Sequence, residues 1–241
     1  MNNIWNIAKR ETGAFFDSLI AYVIIIIFLG LSGFFTWLFG NNIFYTNQAD
    51  LGMFFSISSW TLLFFIPAIT MRSLSEELRS GTFEMLSTKP VSDLQIVGGK
   101  FLACLHIVVV ALLCTLPYYL TLTTLGSVDH GAIIGGYAGL FLLSAMYVSI
   151  GIFASSLTNN QIIAYLVALV ISVFFHLILD MLGEEFRGKG GLVLEYLSTK
   201  SHNEALSRGV VDSRDLIYFF SFIGFGLFAA KSILGKRNFK A

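Results

Sequence analysis

Two titratable side chains have a spacing that could transfer protons within an apolar environment. His176 and Asp180 lie four residues apart, so a helix would place them one turn apart on the same face. Inside a membrane such a pair could relay protons, whereas at the membrane surface it would only contact lipid headgroups and water. The position of both residues near the end of an apolar stretch favours the surface interpretation.

Motifs for nucleotide, metal or nucleophilic chemistry are absent from the sequence. Gly98-Gly99-Lys100-Phe101 lacks both the first glycine and the hydroxyl residue of a phosphate-binding loop. The histidines have no metal-ligand spacing, and no Ser, His and acid set falls at a common predicted depth. We therefore expect no catalytic residue, no metal ligand and no cofactor bound by this chain itself.

The segments that carry these residues are strongly apolar. Only 12% of the 241 residues are charged and 56% are hydrophobic, against roughly 25% charged in soluble domains. A water-soluble core is therefore excluded. Five stretches contain no Asp, Glu, Lys or Arg, and they cover residues 18–49, 51–71, 101–128, 131–179 and 216–230.

The lengths of these stretches predict the number of membrane crossings. A span needs about 20 apolar residues, and residues 131–179 would form a helix of about 73 Å, so this stretch must turn once near the polar residues 155–161. We predict an all-α integral membrane fold of one domain, 1–241, with an interfacial helix at 1–16, a cytoplasmic loop at 72–100 and an outer loop at 181–215. The six predicted transmembrane helices are 18–39, 52–71, 101–124, 133–155, 162–180 and 216–234.

The basic residues predict the orientation. Ten of the 15 Lys and Arg residues fall on the side of the two termini, and the other five lie between spans five and six. Because cytoplasmic loops carry the excess of positive charge, we expect both termini in the cytoplasm and the chain in a bacterial inner membrane.

The segment after the second span has a helical pattern of its own. Met71, Leu74 and Leu78 continue an apolar stripe, which predicts a helix that extends about two turns into the cytoplasm and stops at Gly81. The charged residues of this segment share the opposite face at helical spacing. They are Arg72, Glu76 and Arg79.

A short helix is predicted next, from Thr82 to Ser87. It would expose Phe83, Met85 and Leu86, which favours a protein partner, although the loop could instead pack on its own helix ends. Ser92 to Gln95 then has the spacing of a capping box that begins the helix leading into span three.

Small residues predict where helices approach one another closely. Gly135 and Gly139 form a small-xxx-small pair in the fourth span, which also contains Gly151, and Gly226 repeats the pattern in the sixth. In the outer loop, residues 188–191 predict a flexible start. Residues 192–197 and 204–211 then predict half-buried helices joined by residues 198–201.

Two segments resemble the ABC-2 permease family, the membrane subunits of ATP-binding-cassette (ABC) transporters with a fold like that of type II ABC exporters. One runs from Met71 through Gly81-Thr82-Phe83-Glu84-Met85-Leu86 and continues into Lys89-Pro90-Val91-Ser92 and Gly99-Lys100. The other, residues 151–161, is similar to the family's turn between spans four and five. The resemblance covers essentially the whole chain.

The resemblance implies a coupling site rather than an active site. Residues 81–86 would be the coupling helix that contacts a cytoplasmic ATPase dimer, and the ATPases would bind ATP and Mg²⁺. Arg72, Glu76 and Arg79 would stiffen the helix as a lever, and Glu77 would anchor it to the N-terminal interfacial helix. A second permease copy or a homologous membrane subunit would complete the path.

Within that family the chain more closely resembles permeases associated with gliding motility in Bacteroidota. The resemblance rests on Tyr196-Leu197-Ser198 and on residues 208–212. It implies a membrane partner that carries a large periplasmic domain.

Two other functional classes remain compatible with the sequence. One is an ATPase-driven complex that transmits force and moves no cargo. The other is an ATP-independent secondary carrier that uses His176 and Asp180, which would leave the coupling-loop pattern unexplained.

Overall fold

The computed structural model describes residues 2–39, 50–82, 91–186 and 188–238. Within these ranges the chain is helical and forms no strand. The N-terminal helix and first span are α1 (Asn2–Asp17) and α2 (Leu19–Trp37), and the second span is α3 (Gly52–Thr70), followed by the short α4 (Ser75–Ser80). The third span comprises α5 (Asp93–Leu113) and α6 (Leu116–Leu125), and the fourth is α7 (His130–Leu157).

The fifth span consists of α8 (Gln161–Val173), a π-helical segment (Phe174–Ile178) and α9 (Leu179–Glu185). Two short helices follow, α10 (Lys189–Leu197) and α11 (Thr199–Ser207), and the sixth span is α12 (Ser213–Asn238). Six helices in the described ranges are long and apolar enough to cross a membrane, which confirms the predicted all-α membrane fold with six spans.

Helix α7 is the centre of the bundle. It is the most deeply buried of the six spans and packs against α3, α5, α8, α11 and α12. Spans one, five and six bury the smallest shares of their apolar windows, 22%, 28% and 22%. Their exposed apolar faces suit contact with lipid or with another membrane chain.

The second span continues beyond Thr70 and stops at Gly81 as predicted, but a turn interrupts the extension. Residues 71–74 form a turn that separates α3 from the six-residue α4. The apolar stripe of Met71, Leu74 and Leu78 persists through the turn, because Leu74 is fully buried there. Gly81 ends α4 in a left-handed conformation with φ 70°, which confirms it as the helix stop.

The segment between spans five and six also differs from its prediction. The expected flexible start at 188–191 is largely helical, because α10 begins at Lys189, and the expected linker at 198–201 belongs mostly to α11. Helix α11 buries Thr199, His202, Asn203 and Leu206 by packing against α7. It is therefore part of the bundle rather than a helix lying on its surface.

The four glycines that were predicted at close approaches lie against neighbouring backbone or side chains. Gly135 and Gly139 face α11, where a Cβ atom would meet Leu206 at each position. Gly151 faces Thr70 of α3, and Gly226 of α12 faces Ser149. The small residues of α7 thus admit a loop helix at one end and two other spans along its length.

We predict that Gly226→Ala lowers the thermal stability of the purified chain in detergent, while Gly224→Ala does not. A Cβ atom at Gly226 would lie 2.9 Å from the Ser149 hydroxyl and 3.2 Å from the Ser149 carbonyl carbon. Such overpacking costs about 1–3 kcal/mol. Gly224 has nothing within 4 Å, so alanine there should add helix propensity only. Equal melting temperatures for both variants would contradict the packing described for α12.

Candidate functional site

The turn at residues 71–74 is held by one side chain from a distant part of the chain. Ser155 Oγ accepts hydrogen bonds from the backbone N–H groups of Leu74 (3.0 Å) and Ser75 (2.9 Å), and it donates one to the Met71 carbonyl (3.1 Å). A hydroxyl group has one donor and two acceptor positions, so Ser155 uses all three. The backbone groups exposed by the break in the helix are thereby satisfied.

Ser155 lies on the face of α7 that packs against the end of α3. Gly151 lies one turn before Ser155 and contacts Thr70, the last residue of α3. Because residues four apart share one helix face, the glycine admits the end of α3 while the serine bonds to the turn that follows it. Ser155 and Gly151 both belong to the second segment of the family resemblance.

An ion cluster fixes α4 on its other side. The Lys100 side chain is only 2% exposed, and its Nζ atom lies 2.8 Å from Glu77 Oε1 and 3.3 Å from Glu11 Oε2. Arg10 adds a contact of 2.7 Å to Glu11 and a longer one of 4.0 Å to Glu77. We call Arg10, Glu11, Glu77 and Lys100 the α1–α4–α5 ion cluster, because it joins these three helices.

The electrostatics of the ion cluster favour its charged form. Burial tends to raise the pKa of Glu11, but the Lys100 ammonium and the Arg10 guanidinium outweigh it and hold the pKa below its ordinary value of 4.5. A lowered carboxyl pKa contributes stability that is present above pH 4.5 and is lost as the pH falls through the lowered value. Two cations and two carboxylates leave the cluster without net charge.

Close backbone packing brings α1 to α5. Gly99 lies against Ile7 and the Ile4 carbonyl, so a larger residue there would separate the two helices. Helix α5 begins at the predicted capping box, in which Ser92 Oγ accepts from the Gln95 N–H and Gln95 Oε1 accepts from the Ser92 N–H. This confirmed start sets which residues of α5 face α1 and α4.

The remaining charged residues of the predicted lever are solvent-accessible. Arg72 Nε lies 3.2 Å from Glu76 Oε2 in an i,i+4 pair that links the turn to α4. Exposed pairs of this kind contribute about 0.3–0.5 kcal/mol. Arg79 is exposed and pairs with no acid among the described residues. The charged stripe was therefore a weaker guide to the site than Glu77, which is mostly buried.

Only part of the predicted coupling helix lies in the described structure. Gly81 and Thr82 follow α4, and the Thr82 hydroxyl lies 2.8 Å from that of Ser80. Phe83, Glu84, Met85 and Leu86 fall outside the described residues, so their contribution to this site remains a prediction.

The structure does not join His176 to Asp180. Asp180 Oδ2 lies 2.6 Å from Lys200 Nζ, and its other oxygen accepts a hydrogen bond of 3.4 Å from the Ser198 hydroxyl. His176 instead packs edge-on against Trp60, and its Nδ1 atom has no hydrogen-bond partner among the described residues. Lys200 of α11 lies within reach of Asp180 because that helix packs into the bundle.

A second link fastens α11 to α12. His202 Nδ1 lies 2.6 Å from Asp215 Oδ1, and His202 Nε2 donates a hydrogen bond of 2.8 Å to the Tyr196 carbonyl. The His202 ring also stacks on Tyr218, with ring centroids 4.2 Å apart. Together with the Lys200–Asp180 pair, these contacts hold the segment between spans five and six against the bundle.

Sequence reasoning missed most partners of these side chains. Lys100 was part of a motif, and its burial between two acids was not predicted. Ser155 was placed only in a polar cluster near a turn. The sequence did contain one signal, because Lys100 is the eighth residue of α5 and stands just before an uncharged stretch. A cation buried at that position requires acids from other elements. Neither acid could be identified without the fold.

Six apolar spans make this chain a multi-pass membrane protein, and its described residues contain no group of three or more His, Cys, Asp or Glu side chains that could hold a metal ion. The sequence matches the family described as ABC-2 family transporter protein over residues 5–212. Because the match covers most of the chain, the protein belongs to the ABC-2 transporter family. No curated protein matches the sequence.

We predict that Lys100→Met strongly destabilises the chain, because it leaves two mostly buried carboxylates without their ammonium. Breaking a buried pair in this way costs about 3–5 kcal/mol. The control is Lys9→Met on the exposed face of α1, which should change stability by less than about 0.5 kcal/mol. Thermal unfolding in detergent measures both.

The triple variant Lys100→Met, Glu11→Gln and Glu77→Gln tests the cause. Replacing a buried ionic group entirely is commonly close to neutral, so the triple variant should be more stable than Lys100→Met alone. A triple variant that is less stable than the single one would show that the charges are not the cause of the loss.

We predict that Ser155→Ala lowers the free energy of unfolding by about 1–3 kcal/mol, since it leaves two buried N–H groups without an acceptor. Ser156→Ala is the matched control, because the Ser156 hydroxyl bonds only to the Phe153 carbonyl of its own helix. Chemical or thermal unfolding of both variants in the same detergent makes the comparison. Equal losses would mean that Ser155 does not support the turn.

Proposed function

We propose that this chain is the permease subunit of an ABC transporter and couples ATP hydrolysis in a separate ATPase to transport across a bacterial inner membrane. The proposal rests on the contacts that hold α4 against the rest of the bundle. This short helix leads directly into residues 81–86 and is tied to α1 and α5 by the ion cluster and to α7 by Ser155. Membership of the ABC-2 family supports the same assignment.

The contacts of α4 suggest how movement of the coupling residues would spread. The turn at residues 71–74 separates α4 from α3, so α4 does not act as a rigid extension of the second span. A push on residues 81–86 would reach α5 and α1 through Glu77 and Lys100, and it would reach α7 through Ser155. The N-terminal helix and two spans would then respond together, because packed helices move as rigid bodies against one another.

The arrangement of the complex is part of the proposal. Six spans form one half of a transport path, so we infer a second permease copy or a homologous membrane subunit, two cytoplasmic ATPases that bind ATP and Mg²⁺, and cytoplasmic termini. The exposed apolar faces of spans one, five and six offer surface for a membrane partner. The resemblance of residues 196–198 and 208–212 supports a role in gliding motility and a partner with a large periplasmic domain.

The geometry weighs against the secondary carrier. That reading required His176 and Asp180 to exchange a proton, but Asp180 is paired with Lys200 and Ser198. His176 packs against Trp60 instead, and its Nδ1 atom has no hydrogen-bond partner among the described residues, so the two side chains are not joined as a relay would require.

We predict that Glu84→Arg and Leu86→Arg each abolish co-purification of an ATPase with the chain from its native membrane. The matched controls are Glu195→Arg and Leu192→Arg, which place the same changes on the exposed face of α10 at the other end of the bundle. The proteins retained and their ATP hydrolysis are measured together. Retention of an ATPase with unchanged turnover in the residue 84 and 86 variants would overturn the coupling assignment.

A further inference from the structure

A cavity of about 290 Å³ opens at the end of the bundle opposite the termini. It lies between the first turns of α3, the π-helical segment of span five and helix α11. Polar and aromatic side chains line it together, and the ones that bear on its chemistry are Ser59, Trp60, His176, Lys200, Asn203 and Arg208.

The cavity reaches into the apolar part of a span. Its lining begins at Gly52, the first residue of α3, and includes Trp60. Eight residues of helix correspond to about 12 Å, so the cavity extends from the end of the span well toward the level of the bilayer core. Polar groups at such depth are costly in lipid and mark functional positions.

A buried polar atom in this lining lacks a partner. The His176 side chain is only 1% exposed, and its Nδ1 atom forms no hydrogen bond within the described structure. Its ring is held edge-on by Trp60 at 5.4 Å and by Tyr147 at 6.2 Å between ring centroids. An unmade hydrogen bond at a buried site is expensive, so a ligand with a polar group would be stabilised here.

The two cations at the mouth of the cavity, Lys200 and Arg208, differ in whether acids already pair with them. Lys200 is paired with Asp180 at 2.6 Å and with Glu204 at 3.8 Å, and the hydrogen bond that its ammonium donates to Asp180 raises the Lys200 pKa. Arg208, on the same side of the cavity, is exposed and pairs with no acid in the described ranges. Its planar guanidinium is suited to bind two oxygens of a phosphate group at once.

We propose that this cavity binds a phosphate-bearing amphiphile, a phospholipid, whose phosphate contacts Arg208, whose ester oxygens lie within reach of His176 Nδ1, and whose acyl chains lie along Phe55 and Trp60. Lys200 and Asn203 supply further donors near the phosphate, and Glu204 faces them as an acceptor for a headgroup ammonium or hydroxyl. A cation that pairs with no described acid at the mouth, with aromatic walls below it, favours an amphiphile over a small polar solute. This binding goes beyond the ATPase coupling and requires no nucleotide.

The test uses Trp60 as a reporter within the full chain. Trp5→Phe and Trp37→Phe leave Trp60 as the single tryptophan, since the chain has three. Phosphatidylglycerol with brominated acyl chains is titrated into the detergent-purified protein, and the quenching of Trp60 fluorescence is measured. We expect saturable quenching whose midpoint rises at least tenfold in Arg208→Gln. The control Arg214→Gln removes an exposed arginine of α12 outside the cavity and should leave the midpoint unchanged.

Three other outcomes would overturn the proposal, and a melting curve serves as the folding control. Quenching that is equal in Arg208→Gln, or that a brominated uncharged detergent reproduces, would mean non-specific apolar contact. Relief of the quenching by inorganic phosphate alone would mean a site for free anions instead of a lipid. A melting curve for Arg208→Gln that matches the parent protein excludes misfolding as the cause of weaker binding. This assay contains no ATPase, so a failure to bind lipid would not bear on the coupling assignment. That assignment is tested separately by co-purification.

Discussion

The burial of Lys100 between two carboxylates sets the arrangement of the end of the bundle that carries the N-terminal helix. An ammonium group that is 2% exposed requires charged partners, since an isolated buried cation is far too costly. Its partners, Glu11 and Glu77, stand 89 and 23 residues away in sequence, on α1 and α4. Satisfying this one cation therefore positions an N-terminal helix, the exit from span two and the start of span three together.

Helix α7 supplies the complementary support. Its small residues let neighbours approach its backbone, and its hydroxyl at Ser155 replaces the helical hydrogen bonds that the turn between α3 and α4 gives up. At its other end, Gly135 and Gly139 admit α11 in the same way. The two segments that leave the membrane-spanning part of the chain are thus both mounted on α7, whose 28 residues span about 42 Å.

The two ends of the bundle have different electrostatic characters. The α1–α4–α5 ion cluster is closed, because its charges face one another and little of Lys100 or Glu77 reaches solvent. The segment at the opposite end combines satisfied pairs, such as Lys200 with Asp180, with an arginine and an imidazole nitrogen that have no partner among the described residues. A closed cluster suits mechanical connection, whereas unsatisfied groups around a cavity suit recognition of a ligand.

The features that could be predicted from the sequence are those that depend on local interactions. Apolar stretches long enough for a bilayer predicted the six spans, and Gly81 and Ser92 predicted a helix end and a helix start, because bilayer thickness and backbone capping act over a few residues. The break after Thr70 could not be predicted in this way, because the apolar stripe continues through it and the hydrogen bonds that compensate for it come from Ser155, 81 residues beyond Leu74. Only the tertiary structure decided the partners of Lys100 and Asp180, because a buried charge is satisfied by whichever groups the packing brings within reach, and helical spacing had indicated His176 instead.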